Sequence, residues 1–137
     1  MSKESILNRK GQKVVVLIDE KKKSKGLAFV MHGLSGNKEQ PHIQVIAKSF
    51  AGNGYTVVRF DTTNTFGESD GNYEDATITN YYEDLEDVIS WASKQKWYKE
   101  MLLPPQQRMK PSNLLKPKML RSCKKLVINY LKPLRNA

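Results

Sequence analysis

Short apolar runs alternate with longer stretches of helical periodicity along the first hundred residues. Residues 12–19 are rich in β-branched side chains and predict a strand. Residues 26–32 form a second run, apolar enough to be buried on both faces as in a parallel sheet, and residues 55–60 form a third. Between these two runs, apolar residues follow Pro41 at helical spacing, namely Ile43, Ile46, Ala47, Phe50 and Ala51. This order predicts a β-α-β unit.

A second amphipathic stretch follows a polar loop that spans residues 61–79. We expect Asn80 and Glu83 to form a capping box at its start. Acidic side chains crowd its first turns, and Lys94 and Lys96 lie near its end, as the helix dipole favours. Its predicted buried stripe consists of Tyr81, Leu85, Val88, Ile89 and Ala92. The pattern therefore predicts an α/β fold with helices packed on a sheet.

The charge of the chain is unevenly distributed. The formal net charge is +9, but residues 1–100 carry 14 basic and 14 acidic residues, whereas residues 101–137 carry 9 basic residues and no acidic one. The same tail holds five of the six prolines and none of the eight glycines. We therefore predict two segments, a folded unit over 1–100 and an unrelated basic, proline-containing tail over 101–137. This distribution argues against one basic domain built to hold nucleic acid.

The tail allows more than one interpretation. Its apolar positions, including Leu120, Val127 and Leu131, fit one face of a basic helix that would suit an anionic membrane surface or RNA. Residues 125–131 also fit a strand, and a poorly ordered extension is the third alternative. The lone Cys123 excludes an intrachain disulfide, and residues 1–10 contain no apolar segment of a secretory signal. We expect a cytoplasmic protein.

The strand at residues 26–32 ends in the motif His32-Gly33-Leu34-Ser35-Gly36. Two glycines let the backbone turn sharply, so that its N–H groups can face a ligand. At the end of a central strand, such a loop would offer amide donors to a developing oxyanion. A plain glycine turn is the alternative that the motif alone leaves open.

Three motifs in order carry a resemblance to a known family. After the His-Gly loop come Gly54-Tyr-Thr-Val-Val-Arg-Phe-Asp61 and then Phe66-Gly-Glu-Ser-Asp-Gly71. Together they resemble the N-terminal half of an α/β-hydrolase, in particular the small esterases of the cinnamoyl-esterase and serine-aminopeptidase type. The resemblance covers roughly residues 12–98. It implies a three-layer α/β fold with a partial sheet that stops before the nucleophile elbow.

The resemblance also assigns roles within these motifs. In the family, the residue after His-Gly donates its backbone N–H to the oxyanion, which maps to Leu34, while the matching histidine orders the loop. The oxyanion loop would therefore comprise His32, Gly33, Leu34 and Gly36. Ser69 matches Gly-x-Ser-x-Gly, but it lacks the strand before it and the helix after it that an elbow needs. Ser69 is therefore a candidate nucleophile by pattern alone.

The catalytic triad is missing from the sequence. No second Gly-x-Ser-x-Gly follows Tyr98, the last histidine is His42 and the last acidic residue is Glu100. An oxyanion loop stabilises charge but starts no acyl transfer by itself. We therefore expect a truncated α/β-hydrolase whose family hydrolyses carboxylic esters or amides, and which is inactive alone. The alternative is a non-catalytic interaction protein whose tail binds RNA or a membrane surface.

The remaining expectations concern ligands and partners. The sequence contains no dinucleotide or phosphate-loop motif and no zinc-ligand spacing, so we expect no cofactor and no metal. The resemblance implies a small acyl ester or amide substrate. An incomplete sheet would leave an open edge, which favours self-association. Nucleic acid and membrane surfaces are not the expected partners of the folded segment.

Overall fold

The fold is described by a computed structural model that covers residues 1–98. Its four strands are β1 (Ser2–Leu7), β2 (Lys13–Asp19), β3 (Leu27–Met31) and β4 (Thr56–Phe60). The helices are α1 (Pro41–Gly52) and α2 (Ile78–Ser93), with a short 3₁₀ turn at Tyr73–Asp75 between β4 and α2. The predicted tail segments lie outside the described residues. No helix within residues 1–98 is both long enough and apolar enough to cross a membrane.

The strands form one mixed sheet in the order β1-β2-β4-β3. β1 pairs with β2, and β2 pairs with β4, in antiparallel fashion. β3 and β4 run parallel, with Leu27 opposite Thr56 and Met31 opposite Phe60. The predicted β-α-β unit is confirmed. Because β3 and β4 are parallel and in register, the loops that follow them leave the sheet at the same edge.

Each face of the sheet is covered by one helix, which confirms the three-layer arrangement. α1 packs Ile43 and Ala47 against Ala28, Val30 and Val57 on one face. On the other face, the predicted stripe of α2 packs in a core with strand side chains that include Val16, Phe29 and Val58. All five members of that stripe are buried, namely Tyr81, Leu85, Val88, Ile89 and Ala92. Alternate side chains of β3 thus belong to two separate hydrophobic cores, one on each face of the sheet.

The two outer strands of the described sheet differ in character. β1 exposes all its residues except Ile6 and carries charges at Lys3 and Glu4. Such a charged, short edge resists pairing with other chains. In β3, by contrast, every side chain is buried, and β4 is its one partner among the described strands. The sequence analysis missed β1, because a mostly polar edge strand lacks the apolar run that identifies the others.

The start of α2 differs from the prediction. Thr77 has extended backbone angles and caps the helix, since its side chain accepts a hydrogen bond from the Asn80 N–H at 3.1 Å. The capping box at Asn80 and Glu83 is therefore wrong. Asn80 lies inside the first turn and is buried, while Glu83 pairs with Lys10 at 2.9 Å. The expected dipole pattern is also wrong, because the first turn holds no acidic residue and the last turn no basic one.

The capping role of Thr77 predicts a change in the free energy of unfolding when its side chain is removed. We expect Thr77→Ala to lower the free energy of unfolding by about 1 kcal/mol, because the Asn80 N–H loses its acceptor. Thr79→Ala, two residues later on an exposed position, should change it by less than about 0.5 kcal/mol. Urea unfolding followed by circular dichroism measures both. Equal losses in the two variants would contradict the assignment of Thr77 as the cap.

Candidate active site

The loop after β3 begins at a histidine that is fully buried. The Thr62 N–H donates to His32 Nε2 at 3.1 Å, so Nε2 must be unprotonated. The proton therefore sits on Nδ1, which donates to the Gly33 carbonyl at 2.8 Å. Burial lowers the pKa of His32 below its ordinary 6.5, against the opposing influence of the Gly33 carbonyl and Asp61. A neutral ring with both nitrogens engaged fixes the loop and is poorly suited to act as a base.

The next four residues form a tight turn. The Gly36 N–H donates to the Gly33 carbonyl at 3.1 Å, and Ser35 takes the left-handed φ of 58°. The Gly36 carbonyl accepts a hydrogen bond from the Thr65 hydroxyl in the loop after β4. Gly36 has no room for a side chain, since a Cβ would lie 3.0 Å from the Gly33 oxygen and 3.0 Å from the His32 Cβ. The turn is thus closed on its inner side.

The outer side of the turn is open. Leu34 is 53% exposed and Ser35 is exposed too. Within residues 1–98, neither backbone N–H has a hydrogen-bond acceptor. A Cβ at Gly33 would meet no atom within 4 Å. The loop therefore presents backbone donors beside free space, as a site for an anionic oxygen requires.

A buried ion pair fastens the far end of the same loop. Lys38 is 1% exposed and Asp61, which directly follows β4, is 0% exposed. Lys38 Nζ lies 2.7 Å from Asp61 Oδ2 and 2.5 Å from Glu68 Oε2. Burial alone would lower the pKa of Lys38, but the hydrogen bonds from Asp61 and Glu68 outweigh it and raise that pKa above 10.5. Lys38 is therefore a charged residue of the interior.

Asp61 also organises the loop that follows β4. Its Oδ1 accepts the Lys38 N–H at 2.7 Å, and its Oδ2 accepts the Glu68 N–H at 2.8 Å. A Cβ on Gly67 would overlap the Asp61 carboxylate, so glycine is required where the chain passes it. Glu68 in turn bonds Lys3 of β1 at 2.5 Å. One carboxylate thus joins the two loops at the carboxyl edge of the parallel strands.

Ser69 sits in this second loop with its hydroxyl engaged on both sides. Ser69 Oγ donates to the Asp61 carbonyl at 2.8 Å and accepts from the Val15 N–H at 2.9 Å. Next to it, the Asp70 carboxylate accepts the Lys13 N–H at 2.7 Å. Both residues therefore attach the loop to β2. The proton acceptor of Ser69 is a carbonyl oxygen, whereas an activated nucleophile needs a general base there.

A second buried carboxylate supports the site from α2. Asp84 is 1% exposed. One of its oxygens accepts both the backbone N–H of Thr63 at 2.6 Å and its hydroxyl at 2.7 Å, and the side chain of Asn80 at 3.1 Å. The other oxygen accepts Asn8 Nδ2 at 2.9 Å. These bonds hold the exit of β4 against α2, so Thr62 stays in place to bind His32.

The structure brings together all four residues of the predicted loop: His32, Gly33, Leu34 and Gly36. Ser69 lies in a different loop and contacts β2. Sequence reasoning missed Lys38, Asp61, Thr65 and Asp84 as supports of the site. In the sequence, Asp61 stands out only as the last residue of a motif. Its position directly after an apolar strand is the signal that could have identified it as a support of the site. Within the described part of the chain, no group of three His, Cys, Asp or Glu side chains fits a metal ion.

Four strands in the order 1-2-4-3, a helix on each face and a His-Gly loop after β3 define an α/β-hydrolase fold. The sequence profile of the X-Pro dipeptidyl-peptidase (S15) family matches residues 8–102, and the chain belongs to this family. The suspected membership of the α/β-hydrolases is thereby confirmed. No curated protein sequence matches the chain.

Several solved structures share the fold. Est1E from Butyrivibrio proteoclasticus, a structure with bound ferulic acid, is 26% identical with a TM-score of 0.62, over 67% of this chain and 37% of that one. The α/β hydrolase GrgF from Penicillium sp. sh18 is 24% identical, with a TM-score of 0.60 over 69% and 32% of the two chains.

The lidless serine hydrolase XC6422 from Xanthomonas campestris is 23% identical, with a TM-score of 0.57 over 66% and 43% of the two chains. In each of these three structures, the matched region is less than half of the relative's own length.

The position of Glu68 between two lysines predicts its titration. Hydrogen bonds from Lys3 and then Lys38 lower the pKa of Glu68 from 4.5 to about 2. Because the folded value is the lower one, the stabilisation is present above pH 4.5 and is lost as the pH falls through about 2. Carboxyl ¹³C NMR should show this titration. Lys3→Met should raise the pKa, whereas Lys10→Met should leave it unchanged; a Glu68 pKa near 4.5 in the unmodified chain would contradict the described contacts.

Proposed function

We propose that residues 32–38 are the oxyanion loop of a serine-dependent hydrolase that acts on carboxylic esters or amides, with the Leu34 N–H as a donor. The observation that carries this proposal is the Leu34 N–H, which has no acceptor within residues 1–98 and lies on an exposed turn whose inner side is closed. Donors of this kind accelerate acyl transfer because they are already aimed at the place where negative charge develops. His32 then serves as a loop support, which agrees with its neutral, doubly bonded ring.

The relatives indicate only the chemical class of the bond that would be hydrolysed. Ferulic acid, the ligand of the Est1E structure, is a carboxylic acid, and the S15 family is described by an X-Pro dipeptidyl-peptidase activity on an amide bond. Carboxylic esters and amides are both acyl compounds, and the hydrolysis of either by a serine nucleophile passes through an oxyanion. A small ester or amide is therefore the proposed substrate class.

The proposal includes a prediction about the 137 residues themselves. They contain no Gly-x-Ser-x-Gly after residue 98 and no histidine after His42, so the nucleophile and base must come from elsewhere. We infer that the described residues are the oxyanion half of the site. The nucleophile strand would join the sheet at β3, the apolar outer strand of the described sheet, and would belong to a segment that carries the serine, the acid and the histidine. The basic segment 101–137 lies outside the described residues, and no observation favours its binding to RNA or to a membrane.

The absence of a nucleophile is tested by activity-based labelling. We expect the purified 137-residue chain to hydrolyse p-nitrophenyl acetate no faster than buffer does, and to resist a fluorophosphonate probe. Ser69→Ala is the matched control, because Ser69 is the serine with the elbow pattern. Turnover and labelling that both disappear in Ser69→Ala would overturn the proposal and make Ser69 the nucleophile.

The donor role of Leu34 is tested in a chimera that supplies the missing half. Residues 1–98 would be joined to the part of Est1E that follows its counterpart of α2. Leu34→Pro removes the backbone N–H, and we expect it to lower kcat about 100- to 1000-fold. Leu34→Ala retains that N–H and should keep most of the turnover. If the two variants of an active chimera lose activity equally, Leu34 is not an oxyanion donor.

A further inference from the structure

We propose that Lys38 is a positioning residue that holds the oxyanion loop in its active geometry at the end of the loop opposite His32. The inference rests on the proposed function of that loop and deepens it. Lys38 itself is buried, so it would act through the backbone of the loop and not by contact with substrate.

Three polar atoms of Lys38 are fixed by β4 and the loop after it. Its N–H donates to Asp61 Oδ1 at 2.7 Å, and its carbonyl accepts from Arg59 Nη1 at 3.0 Å. Its Nζ bonds Asp61 Oδ2 and Glu68 Oε2. Residue 38 thus has little freedom relative to β4, because both its backbone and its side chain are bonded to the same segment.

The other anchors of the loop lie on that same segment. His32 is fixed by Thr62, and the Gly36 carbonyl is fixed by the Thr65 hydroxyl. Leu34 and Ser35, in the middle of the loop, have no such anchor, and within residues 1–98 neither of their N–H groups has a hydrogen-bond acceptor. The loop is therefore held at both ends and open in the middle. Without the Lys38 ammonium group, the end nearer α1 would keep its backbone bond to Asp61 but lose the bonds from Nζ to Asp61 and Glu68, and the turn at Gly36 would have more freedom.

The charge of Lys38 matters because of what lies around it. A buried cation is costly unless it is paired, and here Asp61 is fully buried as well. Replacing Lys38 with an apolar residue would leave the Asp61 carboxylate with two backbone N–H donors and no cation. Asp61 would then favour a more hydrated arrangement, which requires the two loops to separate. Loss of the lysine is therefore expected to act locally on the loops and to spare the helices.

Hydrogen exchange of the full 137-residue chain tests this. The probe is the Gly36 N–H, which bonds Gly33 and does not touch Lys38, compared with amides in the middle of α2. We expect Lys38→Met to speed Gly36 exchange at least about tenfold while α2 exchange is unchanged. Lys38→Arg, which keeps the charge, should restore part of the protection. Lys48→Met, an exposed lysine of α1, is the matched control and should have no effect.

Glu68→Ala supplies a second variant in case Lys38→Met does not fold. This substitution removes one acceptor of Lys38 at a half-exposed position. We therefore expect Gly36 exchange to become faster, but by less than in Lys38→Met. The inference is overturned if Gly36 exchange is unchanged, or rises only in step with α2 exchange, in whichever of the two variants folds. If Gly36 responds as expected but Leu34→Pro leaves the chimera active, then Lys38 positions the loop and the oxyanion function of the loop is wrong.

Discussion

The Asp61 carboxylate is the contact on which the candidate site depends. It directly follows β4, in which every residue but Arg59 is buried, and it accepts hydrogen bonds from both loops that leave the sheet at that edge. Its position explains why Gly67 must lack a side chain and why a lysine can be buried in the neighbouring loop. Two loops that are separated by α1 in sequence are thus joined by one side chain.

Such a buried ion pair is a poor means of gaining stability. Removing two charges from water costs much of the free energy that their attraction contributes. Apolar side chains of similar volume often give the same stability. The presence of the ion pair is explained better by geometry. Several directed hydrogen bonds fix an orientation of the loops that apolar packing would leave free. Asp84 and His32 act in the same way on the residues that follow Asp61. His32 accepts from Thr62, and Asp84 accepts from Thr63, Asn8 and Asn80.

Much of this architecture could be predicted from sequence, because it depends on periodicity. The runs at β2, β3 and β4 and the stripes of both helices are regular patterns whose apolar side chains must be buried. The edge strand β1 and the cap at Thr77 were missed or misplaced, since polar residues have several equivalent local uses. The loop motif gave His32, Gly33, Leu34 and Gly36, but not their supports. Lys38 and Asp61 are 23 residues apart, and no local pattern shows that two charged residues will meet in the interior.

Backbone ¹⁵N relaxation would show whether the proposed oxyanion loop is held rigid before any ligand binds. We expect order parameters of about 0.85 for Gly36 and Lys38, equal to those of α2 and typical of rigid backbone. Values below about 0.6 at these two residues, with α2 still rigid, would contradict it. The buried ion pair would then fail to fix the loop, and the site would lack the preorganisation that an oxyanion donor needs.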